Sequence, residues 1–225
     1  MEKTLHLVLL LSSLLVSSAA EIDDLKKAAE QGYADAQFSL GLMYFTGDGI
    51  AEDHAEAVKW WRKGADQGEA SAQFSLGTMY ANGEGVAEDN AEAVKWYRKA
   101  AEQGKASAQY NLALMYANGH GVAEDDVEAV KWFRMAAEQG YAAAQYNLAL
   151  MYGRGTGVAE DNAEAVKWYR KAAEQGHATA QYNLGVMYAK GRGVAEDNVE
   201  AVKWYRKAAE QGYAAAQYNL ALMYG

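Results

Sequence analysis

The chain has 225 residues, a formal net charge of −9 and 51% hydrophobic residues, and it contains no cysteine and no proline. The lack of cysteine excludes disulfide bonds, thiolate metal ligands and the lipid attachment that bacterial lipoproteins carry. The acidic balance argues against a nucleic-acid partner, because phosphate binding depends on clustered lysine and arginine side chains.

The first 20 residues differ in kind from the rest of the chain. Lys3 lies in a short polar start, a largely apolar run covers residues 5–16, and residues 17–20 are small. This pattern predicts a secretory signal peptide and therefore an exported protein without a stable membrane anchor. An uncleaved signal anchor is the alternative, although the run is much shorter than the roughly 20 apolar residues that span a bilayer.

From residue 33 the sequence repeats every 36 residues, in five units that cover residues 33–212 and an incomplete sixth at 213–225. The units open at Tyr33, Glu69, Lys105, Tyr141 and His177. A unit this short cannot bury its own apolar face and must stack on its neighbours. We therefore expect an all-α solenoid of helix-turn-helix repeats, with the charged segment 21–32 as an N-terminal capping helix.

The third unit, residues 105–140, shows how one repeat is built. Ala108, Leu112 and Met115 recur at helical spacing and predict a first helix, helix A, which Gly119 and Gly121 end. A second helix, helix B, is predicted to begin at the acidic residues 124–128, which resemble a capping box. Both helices are predicted to have roughly 12 to 15 residues, too few to be stable alone in water.

Each unit carries a tryptophan at the same position of helix B, and these residues are Trp60, Trp96, Trp132, Trp168 and Trp204. Large aromatic side chains on a helix that is apolar on two sides are usually part of a core. The alternative is a carbohydrate-binding ladder, which would make the protein a periplasmic binder of peptidoglycan or another glycan.

The motifs within each unit resemble the Sel-one-like repeat family, which is related to the tetratricopeptide repeats, and the resemblance covers residues 21–225. In the fifth unit the matching motifs are Ala180-Gln181, Leu184-Gly185, Met187-Tyr188, Gly191-Arg192-Gly193-Val194, residues 201–209 and Gln211-Gly212. The resemblance implies a right-handed α/α superhelix that binds proteins, often as an adaptor that is periplasmic or secreted in bacteria. The penicillin binding and β-lactamase activity of the cysteine-rich branch do not carry over, because this chain has no cysteine.

One face of helix A varies between repeats that are otherwise nearly identical. In the third unit this stripe consists of Ser107, Asn111, Leu114 and Asn118. In the related repeats helix A lines the inner, concave groove, so the resemblance implies that a protein or peptide binds here. The candidate binding residues are Phe38, Phe74, Tyr110, Asn111, Asn118, Tyr146, Asn147, Arg154, Tyr182, Asn183 and Lys190. The alternative is that the aromatic residues pack structurally and the other positions drift neutrally.

Charge changes along the array, since the five units carry −3, −3, −2, 0 and +1. The residue between the two glycines of each turn follows the same trend, and these residues are Asp48, Glu84, His120, Thr156 and Arg192. This gradient could orient a partner or favour head-to-tail association. Random drift at exposed positions is the alternative.

The sequence predicts a protein that is not an enzyme and that has no metal site and no cofactor. Its four histidines lack metal-ligand spacing, no Ser-x-x-Lys motif occurs, and the repeated Glu-Asp pairs stand where helix B should begin. A protein-interaction scaffold is therefore the first interpretation, a glycan binder the second and a β-lactamase-like enzyme a remote third.

The last helix A, in residues 213–225, has no following helix B in this sequence. An exposed apolar stripe is expected at Ala216, Leu220, Met223 and Tyr224, and such a stripe usually contacts a partner. We expect either that the natural protein continues or that this end self-associates.

Overall fold

A computed structural model describes residues 19–224, so residues 1–18 of the predicted signal peptide lie outside the described residues. The described chain contains twelve α-helices and no strand. They are α1 (Ala19–Glu30), α2 (Ala34–Thr46), α3 (His54–Asp66), α4 (Ala70–Asn82), α5 (Asn90–Glu102), α6 (Ala106–Asn118), α7 (Asp126–Glu138), α8 (Ala142–Arg154), α9 (Asn162–Glu174), α10 (Ala178–Lys190), α11 (Asn198–Glu210) and α12 (Ala214–Tyr224). None of these helices is long and apolar enough to cross a membrane.

The helices fall into two compact units, one that runs to Asp89 and contains α1 to α4, and one that begins at Asn90 and contains α5 to α12. Within each unit every helix packs against the helix that follows it in the chain. Helices A and B of each complete repeat have 13 residues each, within the expected range. The predicted all-α solenoid of 36-residue helix pairs is confirmed.

Helix A of each repeat is almost enclosed, whereas helix B keeps one face in solvent. In α6 the predicted core residues Ala108 and Leu112 are fully buried, and Met115 is 7% exposed. In α7, Lys131 and Glu138 are exposed while Phe133 is buried. Helix A is packed this closely because its alanines let the neighbouring backbones approach.

Glycine ends helix A, and the second glycine of the turn touches the preceding repeat. Gly119 has φ 66° and its N–H donates to the carbonyl of Met115. A Cβ on Gly121, which has φ 69°, would lie 2.2 Å from the carbonyl oxygen of Asn90, at the start of the previous helix B. Only glycine avoids this clash, so the turn couples neighbouring repeats as well as reversing the chain.

Aspartate caps helix B, but the full capping box does not form. The carboxylate of Asp125 accepts hydrogen bonds from the N–H groups of Val127 and Glu128, each at 3.0 Å. The N–H of Asp125 donates to the carbonyl of Tyr116 instead of to Glu128. Glu128 forms an ion pair with Lys131 at 3.2 Å. The predicted cap is confirmed. The reciprocal bond to the Glu128 side chain does not form, because the N–H of Asp125 bonds to Tyr116 of helix A.

A buried glutamine near the start of helix A in each complete repeat contacts the helices on either side. In α8, Gln145 is 3% exposed, and its Nε2 donates to the carbonyl of Ala137 at the end of α7, at 3.0 Å. Its Oε1 accepts from Nε2 of Gln175 at the end of α9, at 2.8 Å. The same pair of bonds occurs around Gln37, Gln109 and Gln181. These residues satisfy their polar groups inside the core, as a buried amide must.

The two end helices pack on their neighbours. In α1, Ile22 is 7% exposed and Ala29 is 1% exposed, and Ala29 packs with Leu40 of α2. In α12, Ala216 is fully buried, and Leu220 and Met223 are partly buried against α11. The exposed apolar side chains of α12 are instead Tyr218, at 66%, and Leu222, at 63%. The expected exposed stripe is therefore wrong in its residues, because α11 already covers that face.

Candidate protein-binding face

The variable stripe is the side of helix A that the packing leaves partly open. In α6, Ser107, Asn111 and Leu114 are half-buried and Asn118 is exposed, whereas the adjoining core positions are buried. Arg154 and Lys190, the counterparts of Asn118 in α8 and α10, are also exposed. The stripe is thus accessible mainly at the C-terminal end of each helix A.

The aromatic residues of the candidate set are half-buried and lie between helices. The ring of Tyr110 lies 5.8 Å from that of Phe133 on α7 and 5.1 Å from that of Tyr141, which opens the next repeat. The ring of Tyr146 stacks on that of His177, with 4.8 Å between their centres. The ring of Tyr182 contacts that of Tyr213 at a tilt, with 5.2 Å between their centres. Phe38 and Phe74 are also half-buried. These rings therefore support the stacking of repeats while leaving part of each ring accessible.

The tyrosines and asparagines of the stripe bond to each other across neighbouring repeats. The Asn147 amide lies near the hydroxyl of Tyr110 and the Asn183 amide near that of Tyr146, and each amide acts to lower the pKa of the phenol beside it. Asn219 donates to the Tyr182 hydroxyl at 3.4 Å. Asn147 also donates to the carbonyl of Ala143 at 3.0 Å. The sequence placed these residue types on one surface, but it did not reveal that they pair in a ladder along the stripe.

Burial along this ladder keeps the phenol groups neutral. Burial raises the pKa of Tyr110 and of Tyr146 above the ordinary value. Burial also raises the pKa of Tyr169 to about 12, although the hydrogen bond with Asn183 and the charge of Arg154 act in the opposite direction. The hydroxyls are therefore neutral at physiological pH and can donate hydrogen bonds to a ligand.

A cavity of about 250 Å³ opens beside the stripe between α8, α9 and α10. Its polar lining comes from Arg154, Asn162, Tyr169, Asn183 and Arg192. Arg154 and Asn183 belong to the predicted binding set, and Arg192 was singled out as the basic end of the charge gradient. Asn162 and Tyr169 were missed, because the same residue types recur at the same positions of other helices B, as Asn90 and Tyr97 do.

The tryptophans do not form an open ladder for sugars. Trp96, Trp132 and Trp168 are 5% to 7% exposed, and Trp60 and Trp204 are half-buried. Lysine ammonium groups lie over several of the rings, for example Lys99 at 3.9 Å from the ring centre of Trp96 and Lys171 at 4.1 Å from that of Trp168. Stacking on a sugar needs an open ring face, and these rings are covered.

The acidic pairs at the turns act on the helices that follow them. Asp53, Asp125, Asp161 and Asp197 each accept N–H groups at the start of a helix B. Among residues 19–224 no group of three histidine or acidic side chains is arranged to hold a metal ion. The predicted capping role of these aspartates is confirmed.

The sequence matches known proteins along almost the whole array. A family model described as Sel1 repeat matches residues 25–33, 34–69, 70–105, 106–141, 142–177, 178–213 and 214–225. The chain belongs to the Sel1 repeat family. Sel1 repeat proteins are generally non-catalytic scaffolds for protein interactions, and the predicted family resemblance is confirmed.

Solved structures of other Sel1 repeat proteins show the same fold. The chain is 46% identical to c5321 of uropathogenic Escherichia coli, described as a protective antigen with an SLR fold, with a TM-score of 0.88 over 90% of this chain. It spans 44% of the length of that protein. A Sel1 repeat protein from Oxalobacter formigenes is 36% identical, with a TM-score of 0.78 over 92% of this chain and 86% of its own.

A more distant structure shares the fold alone. The immunity protein Pa5087 from Pseudomonas aeruginosa is 22% identical, with a TM-score of 0.51 over 87% of this chain and 75% of its own. Among curated proteins no sequence matches this chain.

Proposed function

We propose that this chain is an exported, non-catalytic scaffold that binds a protein or peptide partner along the variable stripe of its Sel1 repeats. The observation that carries the proposal is the contrast between stripe and core. Core leucines are identical in all five repeats and fully buried, namely Leu40, Leu76, Leu112, Leu148 and Leu184. The exposed stripe position differs in nearly every repeat, from Thr46 through Asn82 and Asn118 to Arg154 and Lys190.

The chemistry of the stripe suits an extended peptide. Rigid phenol rings offer contact area at little cost in conformational entropy, and amide groups can bond to main-chain N–H and C=O groups. In the described residues the rings are held from two sides by neighbouring helices, so the surface is preorganised for binding.

A crosslinking experiment tests the binding face. The photoreactive residue p-benzoylphenylalanine would replace Thr46 or Asn118, which are exposed on the stripe, and Lys59 or Lys131, which are exposed on helix B. In cells of the source organism we expect discrete crosslinked products from the two stripe positions and none from the two helix B positions. Crosslinking at helix B alone, or equally at all four positions, would contradict this binding face.

The export part of the proposal rests on residues 1–20, which have the composition of a signal peptide. The description of the Escherichia coli relative as a protective antigen agrees with an exported location. Mass spectrometry of the protein from fractionated cells should find a form that begins at Glu21 outside the cytoplasm. An intact N-terminus in the cytoplasmic fraction alone would refute export.

A further inference from the structure

The junction that holds the cavity between α8, α9 and α10 differs in charge from the equivalent junction one repeat earlier. Arg154 is the last residue of α8 and Arg192 lies in the turn after α10, one repeat later, and both line the cavity. The equivalent residues one repeat earlier are Asn118 and Thr156, which are neutral. Two guanidinium groups therefore line this junction, whereas the preceding junction has neutral residues at both positions.

Neither arginine has an acidic partner in the described part of the chain. No carboxylate lies within 4.0 Å of Arg154 or Arg192, although every repeat has a lysine and glutamate ion pair on helix B. The Glu160 carboxylate accepts a hydrogen bond from Nδ2 of the lining residue Asn162 at 2.8 Å and forms no ion pair with either arginine. The cavity thus contains two positive charges whose mutual repulsion an anionic ligand would relieve.

The remaining lining supplies hydrogen-bond donors and apolar contact. Tyr169 and Asn183 both line the cavity, and the neutral Tyr169 hydroxyl and the Asn183 amide can each donate a hydrogen bond. Leu150 and Val186 are half-buried and Met187 is 8% exposed in the same lining. Cations, a neutral hydroxyl and an apolar wall together match a carboxylate attached to an aliphatic chain.

The cavity also gains space from a glycine in its lining, at a position where the other complete repeats carry a larger residue. Gly153 lines it, where the other repeats have Phe45, Ala81, Ala117 and Ala189. A Cβ on Gly153 would meet only the Cβ of Ala165, at 3.7 Å, which is an ordinary contact. Glycine is not required here by the backbone, and inside a helix it is less favourable than alanine.

We infer that this cavity binds a carboxylate group of the partner, with Arg154 and Arg192 on the carboxylate oxygens and Leu150 and Val186 on the adjoining carbon chain. This inference rests on the proposed scaffold function and names the chemistry that its partner presents. The carboxylate comes from an aspartate or glutamate side chain or from a C-terminus. A polyanion fits poorly, because the protein carries a net charge of −9 and only two cations line the site.

The test uses NMR of the full chain with ¹⁵N-labelled arginine and three small probes. The probes are acetyl-Ala-Glu-Ala-amide, acetyl-Ala-Ala-Ala with a free C-terminus, and acetyl-Ala-Gln-Ala-amide, which is neutral. We expect saturable shifts of the Nε–H signals of Arg154 and Arg192 with one or both of the first two probes, and none with the third. The stronger of the two carboxylate probes identifies the source of the group.

Three variants show whether the cavity itself binds the probe. Arg154→Gln or Arg192→Gln should weaken probe binding about tenfold, since each removes a charge-assisted bond. Gly153→Ala should also weaken it by filling the space, while the added methyl group favours the helix and keeps the protein folded. Lys167→Gln, which removes an exposed charge of α9 outside both the lining and the binding stripe, is the matched control and should change binding less than twofold.

Several results would overturn the inference. These are equal shifts with the neutral probe, tighter binding of inorganic phosphate than of either carboxylate probe, no saturable shift at all, or an equal loss of affinity in Lys167→Gln. Crosslinking at Thr46 and Asn118 does not involve the cavity. Failure of the probes together with successful crosslinking would therefore refute the carboxylate site and leave the scaffold function in place.

Discussion

The side-chain amide of Gln175 donates a hydrogen bond to the side-chain oxygen of Gln145 at 2.8 Å, across the two helices of one repeat. Gln145 is 3% exposed and donates in turn to the carbonyl of Ala137 in the preceding repeat. Gln145 therefore takes part in both contacts that a solenoid repeat must make, one with its own second helix and one with the preceding repeat.

Gln145→Glu should destabilise the protein strongly at neutral pH. A buried carboxylate would face the carbonyl oxygen of Ala137 and could not donate the hydrogen bond that the amide donates. Its charge would also lose its hydration without a compensating partner. We expect a loss of about 3 kcal/mol at pH 7 that shrinks as pH falls and the carboxyl group becomes protonated. Urea unfolding at several pH values measures this.

The control for this prediction is Gln175→Glu, because Gln175 is exposed. That variant should lose less than about 1 kcal/mol at every pH. An equal loss in the two variants would show that the buried position of Gln145 is not what makes it important.

Gly157→Ala should be much more damaging than Gly176→Ala. Both glycines have positive φ, at 64° and 90°, so alanine strains the backbone at either site by about 1 to 2 kcal/mol. At Gly157 the added Cβ would also lie 2.2 Å from the carbonyl oxygen of Asp126, whereas nothing lies within 4 Å at Gly176. We expect Gly157→Ala to cost at least about 2 kcal/mol more in thermal unfolding. Similar midpoints would mean that the turn does not hold neighbouring repeats together.

Asn183→Ala should weaken the stacking of repeats, because the half-buried Asn183 amide interacts with the hydroxyls of both Tyr146 and Tyr169 and acts to lower the pKa of each. Loss of two partly buried hydrogen bonds should cost about 1 to 2 kcal/mol in urea unfolding. Asn118→Ala is the matched control, since Asn118 is exposed and bonds only within its own helix, to the carbonyl of Leu114. The control should change stability by less than about 0.5 kcal/mol. The opposite order of effects would refute a structural role for the ladder.

His177 should make stability fall as the solution becomes mildly acidic. Burial lowers the pKa of His177, and its neutral Nδ1 accepts the N–H of Ala180 at 3.2 Å. The unfolded chain therefore binds a proton more readily than the folded one. The contribution to stability is fully present above the unfolded pKa of about 6.5 and is lost as pH falls through the lower folded pKa.

His177→Tyr tests this pH dependence, because tyrosine occupies the same position in the repeats that open at Tyr33 and Tyr141. We expect the unfolding midpoint of the natural protein to fall more between pH 7.5 and 5.5 than that of the variant. His54 and His120 are present in both proteins, so their effects cancel in the difference. Parallel pH profiles would show that His177 does not contribute.

The candidate site shows where inference from the sequence ended. The variable stripe was identified by comparing repeats, and in the structure Asn118, Arg154 and Lys190 at its C-terminal end are exposed. The cavity was not foreseen, because Tyr169 resembles Tyr97 and Tyr205 at the same position of other repeats. Its lining depends on which side chains the next repeat brings beside it, and a pattern within one repeat carries no such information.

The sequence by itself determined the helices, their glycine turns and their aspartate caps, because these depend on backbone preferences and on neighbours a few residues away. The 36-residue period also determined that the helices must stack, since no single repeat has a core of its own. Only the tertiary structure decided that Gln145 is buried, that Tyr146 pairs with Asn183 and that Arg154 meets Arg192 beside one cavity. Those contacts join residues 30 to 38 positions apart, and their geometry is set by how closely the packed repeats approach.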